Sequence, residues 1–74
     1  MLTEYILFEW DDLGDGVQQI VYVGKAPFGT NQSDSKWEIK KFTYVQESDS
    51  KYYVTQIKTL DGKAWTDRAT YDWS

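Results

Sequence analysis

The 74-residue chain contains no cysteine and no histidine. The first absence excludes disulfides, and the two together remove the usual ligands of zinc, haem and iron–sulfur centres, so no cofactor or metal is expected. Proline occurs once, at Pro27. No segment approaches the ~18–20 consecutive apolar residues of a membrane span. No stretch repeats its apolar residues at the 3.6 spacing of a helix. Bases are in the minority, eight against twelve acids, for a net charge of −4. A phosphate-backbone binder would carry a basic stripe instead. Neither nucleic acid nor membrane is therefore an expected partner. Met1-Leu2-Thr3-Glu4 has no positive segment, and Glu4 and Glu9 interrupt the apolar stretch from Tyr5 to Trp10. No secretory signal is expected, and the cytoplasm is the expected compartment.

What the chain has in excess is aromatic bulk. Four Trp, six Tyr and three Phe make up 18% of its residues. A domain this short hides only ~60% of the surface that its unfolded chain exposes, so its core needs reinforcement. Each buried aromatic contributes roughly 150–250 Å² of covered surface. Association with a copy of itself or with a larger partner is the other available reinforcement.

Residues 1–74 are expected to form one domain, and alternation of apolar and polar residues predicts five strands in it. The first covers Thr3–Trp10, with Ile6, Phe8 and Trp10 on one side and Tyr5 and Leu7 on the other, which suggests that both faces are covered. An acidic turn, Asp11-Asp12-Leu13-Gly14-Asp15-Gly16, leads to a second strand over Val17–Lys25. The connection Ala26–Ser35 is the longest without strand pattern, and long loops are disproportionately functional. The third strand, Lys36–Gln46, places Trp37 and Ile39 on one parity and Phe42 and Tyr44 on the other. A β-bulge at Lys40-Lys41 would return all four to one face. After the polar loop Glu47–Ser50 comes a fourth strand, Lys51–Leu60, and Asp61-Gly62 reads as a tight hairpin. The fifth, Lys63–Trp73, alternates with Trp65, Asp67, Ala69, Tyr71 and Trp73 inward, leaving Arg68 on the water side. The expected fold is an all-β, five-stranded antiparallel meander, closed as a small barrel or folded as a compact sandwich.

Motifs that would carry chemistry are incomplete. Started at Asp11, a calcium loop would have Leu13 at its third position and Tyr22 at its twelfth, so ligation fails where it is needed and a solvated turn is expected. The carboxylates show no catalytic spacing, and the serines at 33, 35, 48, 50 and 74 have no fixed base. Gly24 and Gly29 lack the helix and Lys-Ser/Thr of a phosphate loop. Aromatic side chains could stack on sugars, but an undersized core claims most of them. The chain reads as a binding module without catalytic residues. Its expected contact residues are Pro27, Phe28, Thr30 and Asn31 in the long loop, together with Arg68.

Four patches occur in order: Tyr22-Val23-Gly24-Lys25-Ala26-Pro27 with Gly29-Thr30; Trp37-Glu38-Ile39-Lys40-Lys41; Asp61-Gly62; and Trp65-Thr66-Asp67-Arg68-Ala69 with Tyr71 and Trp73. Across about residues 20–73 this set resembles a group of short virion structural proteins of tailed bacteriophages and prophages. The first hairpin, Phe28 and the Asn31–Ser35 tract depart from the pattern. The resemblance implies a component of an assembled particle, made in the host cytoplasm and residing in the virion, with other virion proteins or further copies of itself as partners. It brings no catalytic residues to transfer. A small carbohydrate-binding module for host-surface attachment is the rival expectation.

Overall fold

The computed structural model describes residues 3–14, 16–48 and 51–73. Four antiparallel strands form one sheet in the order β1-β2-β3-β4: β1 (Glu4–Asp12), β2 (Gln18–Pro27), β3 (Trp37–Ser48) and β4 (Lys51–Lys63). The expected all-β class and the first four strands are present, each within a few residues of its expected bounds. Asp15, Asp49 and Ser50 of the two expected turns lie outside the described residues.

The fifth strand and the closed architecture are not found. Past Lys63 the chain turns through a short 3₁₀ helix, Trp65–Asp67, and further turns to Trp73. Among the described residues β1 and β4 share no ladder, so the sheet is open; there is no barrel and no second sheet. Asp61-Gly62 does not close a hairpin either. β4 runs through it, and the pairing shifts from Ile39↔Leu60 to Trp37↔Lys63, which makes the pair a bulge with Gly62 at φ 66°. That left-handed conformation is the one for which glycine is suited, and the same Asp-Gly chemistry serves turn and bulge alike.

The third correction concerns β3. Its pairing with β2 is unbroken from Tyr22↔Lys41 to Lys25↔Glu38, and with β4 from Ile39 to Thr43, so no bulge falls at Lys40-Lys41. Irregularities occur instead opposite Thr43/Tyr44 and Gln46/Ser48, and between β1 and β2 at Glu9/Trp10. The parity change along β3 is therefore real. Trp37 and Ile39 face one side of the sheet, Phe42 and Tyr44 the other.

On the first side the register aligns Leu7, Gly24, Ile39 and Leu60 in one cross-strand row. There the C-terminal segment lies across the sheet. Trp65 packs with Ala26, Trp37 and Ile39, flanked by Leu7, Tyr22, Tyr71 and Trp73. Gly24 makes this possible: a Cβ there would meet the Cε3 edge of Trp65 and stand 2.6 Å from its Cζ3 and 3.2 Å from Cε3 of Trp37. Trp65 and Trp37 meet with ring centroids 6.1 Å apart.

The second side has no such cover. The molecule is a plate of 41 × 30 × 16 Å with a radius of gyration of 13.6 Å, against ~11 Å for a compact domain of this length. It exposes 5077 Å², where a globular monomer of its mass presents ~4,700 Å².

Candidate functional site

The loop after β2 is held in place by its own backbone. Phe28 donates its N–H to the Thr3 carbonyl (3.0 Å), and Thr30 donates to the Pro27 carbonyl (3.1 Å) across Gly29. The Asn31 N–H donates to the Asp34 carboxylate (3.0 Å) while the Trp37 indole donates to the Asn31 carbonyl (2.9 Å). Thr66 donates to the Gln32 carbonyl at 3.1 Å, tying the loop to the C-terminal segment. These bonds shape an open cleft of about 280 Å³ lined by Tyr5, Leu7, Thr30, Asn31, Gln32 and Trp37. Phe28, 65% exposed, packs against the Tyr5 ring at 4.8 Å beside it. Three of the five expected contact residues (Phe28, Thr30 and Asn31) thus belong to one ordered loop, and two of them line the cleft; Ala26 and Pro27, expected in the loop, instead end β2, where Pro27 pairs with Glu4. Thr30, Asn31 and Gln32 bring hydroxyl and amide groups to the cleft and Tyr5 a partly exposed ring, whereas Trp37 is buried at its base. The set suits a partner group that offers both hydrogen bonds and a flat face.

Arg68 is elsewhere. Its guanidinium bonds the Glu9 carboxylate, lies 4.5 Å above the Trp65 ring and 5.9 Å from that of Tyr22, and donates from Nη1 to the Trp65 carbonyl at 3.0 Å. Its own carbonyl accepts the Trp73 indole N–H at 2.8 Å. Within the chain Arg68 is a clamp: charge, planar stacking and hydrogen bonds together pin the C-terminal segment to β1 and β2. Tyr22, beneath this clamp, has its phenol pushed above the usual tyrosine value, first by burial and then by the Glu9 carboxylate, with Arg68 opposing. Tyr44 is raised by burial, and its hydroxyl donates to the Ile20 carbonyl at 2.8 Å.

Asp67, expected inward, is exposed, as is Ala69; leaving the extended conformation after Ala64, at the 3₁₀ turn of Trp65–Asp67, removes the alternation that would have turned them in. In the acidic turn the carboxylates serve the backbone. Asp11 accepts from the Asp12 N–H (2.9 Å), and Asp12 accepts from the Gly14 N–H (2.8 Å).

One surface was not singled out by the sequence. On the uncovered side, Ile6, Phe8 and Trp10 of β1 are 53%, 54% and 57% exposed, and Ile57 of β4 is 54% exposed. Val54 is exposed as well. The register places them with Val23 and Ile20 of β2 and Phe42 and Tyr44 of β3: Phe8↔Val23, Trp10↔Ile20, Phe42↔Ile57 and Tyr44↔Val54 are opposed pairs. Two signals could have located this face: the apolar residues on both sides of β1 and the parity change along β3. No family model matches the chain, nor does any curated protein or solved structure.

Proposed function

We propose that this chain is a non-enzymatic structural subunit of a tailed-bacteriophage particle, made in the host cytoplasm and carried in the virion. Its partners are further copies of itself or neighbouring capsid, neck or tail proteins. The observation that carries the reading is the uncovered apolar side of the sheet. Half-exposed Ile6, Phe8 and Trp10 on β1 and Ile57 on β4, at the two edges of one side of the sheet, are costly for an isolated protein and ordinary for a subunit whose second layer comes from elsewhere. The resemblance of residues 20–73 to short virion proteins supports the particle as the setting. The end of β2 and the ordered loop, with Pro27, Phe28, Thr30 and Asn31, add a second contact surface, and Arg68 supports both by holding the C-terminal segment flat.

Quantitative mass spectrometry of gradient-purified particles from the encoding phage or prophage tests this. Retention of the chain at fixed stoichiometry through purification is the expected result; its loss from intact particles overturns the reading.

The cleft favours a second reading, a carbohydrate-binding module for host-surface attachment. Thr30, Asn31 and Gln32 line it together with Tyr5, which is 37% exposed, and an accessible aromatic ring with nearby amides suits a sugar ring. Titration of the tryptophan fluorescence with host cell-wall and surface glycans tests it. A saturable change supports the module, and a flat response across the panel removes it.

A further inference from the structure

We propose that the uncovered face of the sheet, centred on Phe8, Trp10, Phe42 and Ile57, is the contact surface for a second copy of this chain, packed sheet on sheet as a two-layer sandwich. The proposal deepens the subunit reading above by naming the surface and the occupant.

Three observations select a copy of the chain over another protein. The first is layering. A sheet with apolar residues on both faces needs cover on both. Here the C-terminal segment covers one, and the 16 Å thickness of the plate accommodates the sheet and that partial layer alone. A second sheet packs on the first at ~10 Å, and two sheets of identical twist pack aligned.

The second is area. The more than half-exposed side chains of Ile6, Phe8, Trp10 and Ile57, with Val54 and the half-buried residues between them, offer apolar surface on the order of 500 Å², at the upper end of what a monomer leaves bare. With their polar surround they approach the ~800 Å² per partner of a stable interface. The 41 × 30 Å face of the plate is large enough to hold that footprint.

The third is charge. Although the chain carries −4, this face is balanced at the end remote from the turn. Glu4 opposes Lys25 at 4.0 Å, and Glu38 opposes Lys40 at 3.6 Å. Asp12, at the other end of β1, is turned into its own loop by the Gly14 N–H. A two-fold axis brings a surface against itself, so a face of one sign would repel its copy, whereas neutral acid–base pairs can exchange partners across the axis. A strongly basic or acidic foreign partner finds no complementary field here.

Sedimentation equilibrium of the full chain, from micromolar to submillimolar, reads the stoichiometry. A monomer–dimer equilibrium is expected for the wild type. Trp10→Lys and Ile57→Lys are expected to remain monomeric over the same range with unchanged far-UV circular dichroism. Val45→Lys, at a residue 49% exposed on the opposite side of the sheet, is expected to dimerise as the wild type does. The absence of native cysteine permits a single nitroxide at Ile57→Cys, a milder change that keeps the test informative if a lysine variant fails to fold. Pulsed dipolar spectroscopy should then give one defined distance, shorter than the 41 Å long axis of the chain.

A wild type that stays monomeric throughout, or a dimer lost in Val45→Lys and retained in both face variants, overturns the proposal. The outcome is separable from that of the subunit reading. A monomer found in purified particles defeats the dimer alone, and a dimer absent from particles defeats the virion reading alone.

Discussion

The two faces of this sheet are built from similar residues and treated in opposite ways. On one, Trp37 and Ile39 are fully buried beneath Trp65, and Arg68 closes the arrangement by gripping Glu9. On the other, Trp10 and Ile57 are more exposed than buried. Composition does not separate them, since each has tryptophan, isoleucine and tyrosine. What separates them is whether the same chain returns to cover the face. The C-terminal segment lies on one side, so Trp37 and Ile39 are covered while Trp10 and Ile57 on the other side stay exposed.

The largest effect that breaks this comparison comes from closing the space under the cover. Gly24→Ala would drive a methyl into the Trp65 ring, which is itself wedged against Trp37. A rigid indole in a packed layer has nowhere to move, so a loss of about 3 kcal/mol is expected, at the upper end for overpacking. That is a large part of a small domain's stability. Urea unfolding measures it; an unchanged midpoint would mean that Trp65 does not rest on the sheet as described.

Removing the clamp is expected to cost less. Arg68→Ala deletes a partly exposed ion pair, a stacked guanidinium and the packing of the side-chain stem, together about 1–2 kcal/mol. Arg68→Lys should recover less than half of that, because an ammonium neither stacks flat on Trp65 nor forks between Glu9 and the Trp65 carbonyl. Full rescue by lysine, measured by the same unfolding midpoints, would reduce the clamp to charge alone.

The comparison also marks how far the residues could be read. Strands β1 to β4 were legible because alternation and turn residues act locally, over a handful of positions. The C-terminal segment was not. Trp65, Ala69, Tyr71 and Trp73 alternate as a strand would, yet Ala69 is exposed and the three rings reach the sheet from turns: the Ala64 N–H donates to the Tyr71 hydroxyl at 2.8 Å and the Trp73 indole to the Arg68 carbonyl. Parity records which residues want cover and not the path by which cover arrives. At Lys40-Lys41 the parity change marks no bulge that gathers one core; it reports two apolar faces. The long loop was recognisable from its lack of pattern, but its cleft was not, since Tyr5 and Leu7 come to it from β1. The Glu9–Arg68 pair joins residues 59 positions apart, beyond any local pattern.

A smaller effect sharpens the covered side in alkaline solution. Burial and Glu9 raise the Tyr22 phenol above its ordinary value. The folded protein therefore favours the neutral phenol. This contribution is fully present below the unfolded value of about pH 10 and is lost as pH climbs through the higher folded value. Stability should fall across that window. Tyr22→Phe keeps the ring against Trp73 and should flatten the decline without altering stability at neutral pH. An identical slope in the variant would show that Tyr22 ionises as freely folded as unfolded.

The smallest effect belongs to the open face, and its dependence on concentration is what separates the two sides. Ile57→Thr keeps a β-branched side chain on β4 and removes apolar surface that the isolated chain leaves in water. In dilute solution the change in stability should stay within about 0.5 kcal/mol, as for other exposed positions. At high concentration the wild type gains stability by mass action with its partner copy and the variant gains less, so the gap between their melting temperatures should widen with protein concentration. The deficit of Gly24→Ala arises inside one chain and is expected at every concentration, dilute solution included. A loss of about 2 kcal/mol for Ile57→Thr in the dilute limit would break the comparison, because a side chain that costly to trim is already packed within its own chain.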